Sequence, residues 1–227
     1  MEVAKVSALV KRLQKRKYAY NYCQQEWLDS LKLSEHQEIL VQFARKHQLQ
    51  LESLDSIIQQ SVNTQFSLGD AQGSFASLMN YDSQELMNFI GLFSLYLFNQ
   101  LIVQKKEPSI TFDDDLQGYF DHLRPEFNKS GLMYKNTLNP VISSLGKIYS
   151  MSLSRYEKIS HQQVIAFGYF VLLSLLHKKV SNPFLASLQL QIPKSFTEFS
   201  KFNLENKEQV NAKQLSLLLQ YIATHLG

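Results

Sequence analysis

Two stretches of the chain, Leu86–Val103 and Val164–Leu176, are apolar almost all the way round at helical spacing. A helix without a polar face cannot lie on a surface in water and needs other elements on every side. Each stretch is introduced by a start signal. Asp82 and Glu85 have capping-box spacing before the first, with Tyr81 and Leu86 placed as a hydrophobic staple. Ser160 and Gln163, between Ile159 and Val164, repeat the device before the second. Asn211 and Gln214, between Val210 and Leu215, repeat it before a last helix that runs through Leu217, Leu218, Tyr221 and Ile222 toward Gly227. In such a box the cap side chain accepts from the N3 amide and the N3 side chain reaches back, so two orphan donors are satisfied. The pattern predicts an all-α fold, an irregular multi-helix bundle of about nine helices around two buried apolar ones.

The first stretch is 18 residues long, the lower limit for a membrane span. It carries Asn88, Ser94, Asn99 and Gln100, which are costly in lipid without partners, so a buried core helix is expected and no transmembrane span. Gly91 and Gly168 occur at matching places in the two stretches and are expected to be points of close helix packing.

Around this centre the sequence predicts shorter elements. A first helix is expected from Val3 into the Tyr20 region, docked by Val3, Val6, Val10, Leu13 and Tyr20, with its cations on the opposite face. An aromatic-rich helical segment with Tyr18, Tyr20, Tyr22, Trp27, Leu28 and Leu31 continues to Leu33 and places Cys23 inside a helix. Ser34 and Gln37 form a further capping box for a helix whose apolar side is Ile39, Leu40 and Phe43. Leu51–Gln60 reads as another short helix. Asn139–Pro140 and Asn182–Pro183 read as N-caps followed by proline at the first helical position. Pro125 and Gly131 are expected to bracket a turn, and Pro193 to break the chain before Phe196. Residues 66–80 are rich in Gly, Ser and Ala without sustained periodicity. The expected division is therefore a helical region 1–65, a connector 66–81 and a helical core 82–227, or one domain overall.

No segment supplies a catalytic constellation. Asp113, Asp115, Gly118 and Asp121 match four positions of a calcium loop, but Arg124 stands where the bidentate Glu belongs, so a cation would meet a cation. The helical reading is that Thr111 or Asp113 caps a helix whose acidic first turn complements the macrodipole. None of the six histidines has HExxH spacing, and Cys23 has no Cys or His near it in sequence for a zinc site. Gly69, Gly73 and Ser74 are one residue short of a phosphate loop and lack its Lys. No cofactor or metal is expected, and no enzyme activity. The lone cysteine fits a reducing compartment, and the first residues lack signal-peptide form, so a cytoplasmic location is expected.

Two surface signals remain. Lys11, Arg12, Lys15, Arg16 and Lys17, with Tyr18 and Tyr20, form a basic amphipathic helix suited to an acidic groove on another protein subunit. Nucleic acid or an anionic membrane surface is the less favoured partner. Phe196 and Phe199, with Phe184 and Phe202, form an aromatic set that reads first as core and second as a partner anchor. The leading functional expectation is a non-enzymatic adaptor or accessory subunit of a larger assembly. The alternative is a nucleic-acid-binding or regulatory helical protein, and a helical enzyme comes third.

In size, helicity, single cysteine and Lys/Gln-rich composition, the chain resembles the small all-helical accessory subunits of bacterial type IV (Dot/Icm-like) secretion coupling complexes. The resemblance implies an adaptor at the cytoplasmic side of the inner membrane, peripheral through its complex, that helps recruit or gate effector proteins. It transfers no individual functional residue.

Overall fold

The computed structural model describes residues 2–17, 19, 22–31, 33–47, 49, 52–59, 62–104, 109–134 and 136–225. Tyr18, Tyr20, Leu51 and Gly227 lie outside them. The fold is all-α. Eleven α-helices are present among the described residues: α1 (Glu2–Lys17), α2 (Gln25–Ser30), α3 (Glu35–Lys46), α4 (Glu52–Gln59), α5 (Leu68–Gln72), α6 (Ser83–Val103), α7 (Asp114–Met133), α8 (Asn139–Ser152), α9 (His161–Leu176), α10 (Asn182–Gln189) and α11 (Ala212–His225). This exceeds the nine expected, and one of the eleven, α5, lies in the region read as a connector. Two compact units interleave along the chain: Met1–Leu86 with His177–Ser195, and Met87–Leu176 with Phe196–Gly227.

The first unit has a core of Ala19, Tyr22, Cys23, Leu28, Val41, Ala44, Ile58 and Leu190, bordered by Trp27, Leu31, Leu33, Leu49 and Val62. Its two chain segments are tied by backbone-directed bonds. Gln24 N donates to the Leu190 carbonyl at 2.7 Å and Trp27 Nε1 to the Ile192 carbonyl at 2.8 Å. The expected continuous helix to Leu33 is broken. Tyr22 and Cys23 amides both donate to the Ala19 carbonyl, Gln24 is extended, and α2 starts only after it. Cys23 therefore lies in this turn, not in a helix, and is fully buried.

Residues 66–81 also differ from the connector expectation. Ser67 and Asp70 form a capping box that starts α5, and a 3-10 helix follows at Ala76–Asn80 with Ala76, Leu78 and Met79 buried. Asp70 Oδ1 also accepts from Ser181 N at 3.2 Å. Burial pushes the Asp70 carboxyl upward, but the hydrogen bonds from Ser181 and Ser67 outweigh it and hold it below its ordinary value. A segment without periodicity is ordered here by caps and by a distant strand of chain, neither of which a hydrophobic pattern records.

In the second unit α6 is buried without interruption from Phe89 to Leu101, and α9 from Val164 to Leu172. By length and hydropathy α6 is the one described helix that passes for a membrane span, but 78% of its most apolar window is buried inside the protein. Gly168 lets the two helices touch: a Cβ there would stand 2.7 Å from both the Ile90 carbonyl oxygen and Ser94 Cβ. Gly91 is looser, with Ile165 Cγ1 at 3.8 Å. Phe98 stacks on Phe167 with centroids 4.9 Å apart and meets Phe112 and Tyr149 edge-on. Such pairs add to area burial, by about 0.5–1.5 kcal/mol each.

The capping boxes at Asp82, Ser160 and Ser34 form as read. Asp82 N donates to Glu85 Oε2 and Glu85 N to Asp82 Oδ1, both at 2.8 Å. Ser160 with Gln163 and Ser34 with Gln37 are likewise reciprocal. Asn211 Oδ1 accepts from the Lys213 and Gln214 amides. The proline starts shift by one residue: Leu138 precedes α8, and Ser181 caps α10 by accepting from Phe184 N. Pro125 and Gly131 do not bracket a turn, because α7 runs through both. Pro125 is on the exposed side of α7, opposite buried Phe120, Phe127 and Ser130, so the carbonyl it leaves without a helical donor faces water.

Candidate interaction surfaces

The basic helix α1 is turned otherwise than its pattern predicts. Val6 and Val10 are 61% and 47% exposed, whereas Lys15 is 9% exposed. Arg12 is half-buried: its Nε donates to Asn80 Oδ1 at 2.9 Å and its Nη1 to the Ala71 carbonyl at 2.9 Å. Lys15 Nζ donates to the Tyr81 carbonyl and to Gln191 Oε1, and lies 5.7 Å from the Tyr22 ring centroid. Burial lowers the Lys15 ammonium from 10.5 to about 8, with repulsion from Lys11 adding and Asp82 and Glu85 opposing. Lys11 is exposed. Arg16 and Lys17 belong to α1, but their side chains, like Tyr18 and Tyr20, lie outside the description. Two of the proposed partner-binding cations are thus internal ties of the fold. The long stems of Arg and Lys make this arrangement possible, since each buries methylenes while its head finds acceptors.

The aromatic set divides. Phe199 is buried against Phe167 at 5.7 Å and Phe170 at 6.3 Å, while Phe196 and Phe202 are half-buried beside it. The segment Lys194–Lys201 is a 3-10 helix, so residues three apart share a face and the aromatic spacing reads as a core stripe. Phe184 is buried in the other compact unit, 5.5 Å from Phe66.

The surface that sequence reasoning missed is on α3. Val41 and Ala44 anchor this helix in the first unit's core, but Ile39, Leu40 and Phe43 are 59%, 50% and 53% exposed. The sequence marks these three as the apolar side of the helix. Instead the small side Val41/Ala44 packs and the bulky side points to solvent, continued by exposed His36 and His47. Phe43 and His47 rings meet with centroids 4.5 Å apart. The helix keeps Glu35 and Glu38 in its first turn and Arg45 and Lys46 in its last, matching its dipole.

In the second unit, the acidic run before α7 is the start of that helix: Asp113 is at the N-cap position and Asp114 pairs with Lys158 at 2.5 Å. No group of three or more metal-ligating side chains occurs among the described residues. Cys23 is pushed up to about 12 by burial, so at neutral pH it is a thiol packed in the core. Exposed His161 borders a cavity of about 320 Å³ with Asn88, Gly91 and Tyr119.

Comparison with known proteins gives no match: no family model, no curated protein and no solved structure matches the chain.

Proposed function

We propose that this chain is a non-enzymatic helical adaptor, an accessory subunit that recognises another protein through the apolar side of α3. The observation that carries the reading is the outward position of Ile39, Leu40 and Phe43 on a helix already anchored from behind. Apolar side chains at i, i+1 and i+4 present the contact that a hydrophobic groove or a second amphipathic helix covers. The basic face of α1 supports an acidic partner less well, since Arg12 and Lys15 already have acceptors within the chain. The same commitment weakens the nucleic-acid alternative, which needs free cations for phosphates. In the setting implied by the resemblance to secretion coupling subunits, the partner is a further subunit of that complex and the chain acts at the cytoplasmic side of the inner membrane.

The test is affinity purification from native cells with the wild type and with Leu40→Glu and Phe43→Glu. Proteins recovered in fixed ratio with the wild type and lost with both variants, each variant retaining its circular dichroism, support the adaptor reading. Equal recovery with all three chains rejects the α3 surface, and a monomer that retains nucleic acid through high-salt washing rejects the adaptor role.

A further inference from the structure

The cavity of about 320 Å³ in the second unit opens between α6, α7 and α9. Its floor is apolar: buried Leu92, Leu95 and Val164, half-buried Leu116 and the bare backbone of Gly91. Its mouth carries exposed Asn88, Tyr119 and His161. The floor stays open because residue 91 has no side chain. A Cβ there would meet Ile165 Cγ1 at 3.8 Å and His161 Nε2 at 4.0 Å, both ordinary van der Waals distances. Helix packing therefore does not require this glycine. Gly168 is the contrast, since a Cβ there would stand 2.7 Å from the Ile90 carbonyl oxygen and Ser94 Cβ.

Glycine in a helix interior is destabilising relative to alanine, and what the missing methyl provides at position 91 is space in the cavity. That space is in reach of one polar atom, because His161 Nε2 stands over the point where the methyl would be. An imidazole nitrogen donates or accepts according to its tautomer, so it meets a single N–H or O–H of a ligand lying on the floor. The volume of about 320 Å³ is near twice the roughly 150 Å³ of an apolar cavity that takes up benzene, which is room for a two-ring molecule.

The surroundings decide the charge of such a ligand. A charged group set on the leucine and valine floor would lose its hydration, so the part that enters is uncharged. At the mouth, exposed Asp115 stands one helical turn before Tyr119 and repels a carboxylate. Lys158, three residues before His161, is already paired with Asp114 at 2.5 Å. We propose that this cavity binds a small neutral aromatic molecule of two fused rings, its rings over Gly91 and its one polar N–H or O–H on His161 Nε2. The site is in the other compact unit from α3 and does not depend on the reading of that helix.

The experiment is a titration of the full-length ¹⁵N-labelled chain with indole, with indene (the same rings without the N–H) and with indole-3-acetate, following backbone amide resonances. Indole shifts Gly91 and Val164 saturably, with a Kd of roughly 0.1–1 mM for a ligand of about nine heavy atoms. Indene binds about fivefold more weakly for want of the hydrogen bond, and indole-3-acetate more weakly than indole. Gly91→Ala raises the thermal midpoint, as alanine does in a helix interior, yet weakens indole roughly tenfold by filling the floor. Opposite effects on stability and binding separate a ligand site from a packing site. His161→Phe brings indole down to the level of indene, and this decides the matter should the glycine variant fail to fold. Absence of saturable shifts through the millimolar range, undiminished indole binding by folded Gly91→Ala or by His161→Phe, or tighter binding of indole-3-acetate than of indole overturns the proposal.

Discussion

Lys15 should make the first unit more stable relative to a Lys15→Met variant as the pH is raised. In the fold its ammonium is lowered from 10.5 to about 8, burial being the largest cause. Between those values the unfolded chain holds a proton that the folded chain has released, so unfolding takes up a proton and stability rises with pH. Across the whole window the gap amounts to about 3 kcal/mol. Below about pH 8 both states carry the proton and the contribution is constant at its least favourable; above 10.5 both have lost it. Other buried groups act in the opposite sense. Cys23 is raised from 9.0 to about 12, and Tyr22, Tyr96 and Tyr169 are raised above 10.0, all chiefly by burial. Their contributions are lost as the pH climbs past the unfolded values. The wild-type curve alone therefore mixes two signs, and the variant is needed to separate them, since Met keeps the length and apolar stem without the titration. Urea unfolding followed by Trp27, the single tryptophan and a neighbour of the first unit's core, gives the readout. The difference in unfolding free energy, wild type minus variant, should grow by about 3 kcal/mol from pH 8 to 10.5. A difference that stays flat over that window, with both chains folded at pH 7, refutes the buried-ammonium reasoning.

Three further outcomes are expected. Gly168→Ala drives a methyl into the Ile90 carbonyl and Ser94, and should cost about 1–3 kcal/mol in chemical denaturation; an unchanged midpoint contradicts the close packing of α6 on α9. Ellman's reagent at pH 8 should leave Cys23 unmodified until urea unfolds the chain, because the thiol is both buried and raised to about 12, and immediate stoichiometric reaction in buffer would contradict this. Leu40→Ser and Phe43→Ser should change stability by no more than about 0.5 kcal/mol, whereas Phe199→Ala should lose about 3–5 kcal/mol, a contrast read in one set of urea curves.

What was legible in the sequence was local. The boxes at Ser34, Asp82 and Ser160 need only residues three apart, and the apolar circumference of α6 and α9 needs only composition along one helix. The errors arise where a face is chosen by partners far away in the chain. In α1 the stripe Val6–Val10 has the expected period, but Arg12 meets Ala71 and Asn80, and Lys15 meets Tyr81 and Gln191, and those acceptors draw the cationic side inward. In α3 the small residues Val41 and Ala44 permit closer packing than the bulkier side, so the hydrophobic pattern pointed the wrong way. Pro125 was read as a breaker because sequence does not show which side of α7 faces water.

The interleaving of the two units has a consequence for biogenesis. Residues 177–195 supply the Leu190 and Ile192 carbonyls to Gln24 and Trp27, the Ser181 amide to Asp70, and Gln191 to Lys15. As the chain leaves the ribosome, its first 86 residues therefore remain without these partners until the whole of α9 has been made. The N-terminal half cannot mature ahead of the rest, and no single cut releases either unit with all its pieces. Degradation of an aborted product would meet an open Lys15 and an uncovered Trp27, so incomplete chains differ chemically from finished ones.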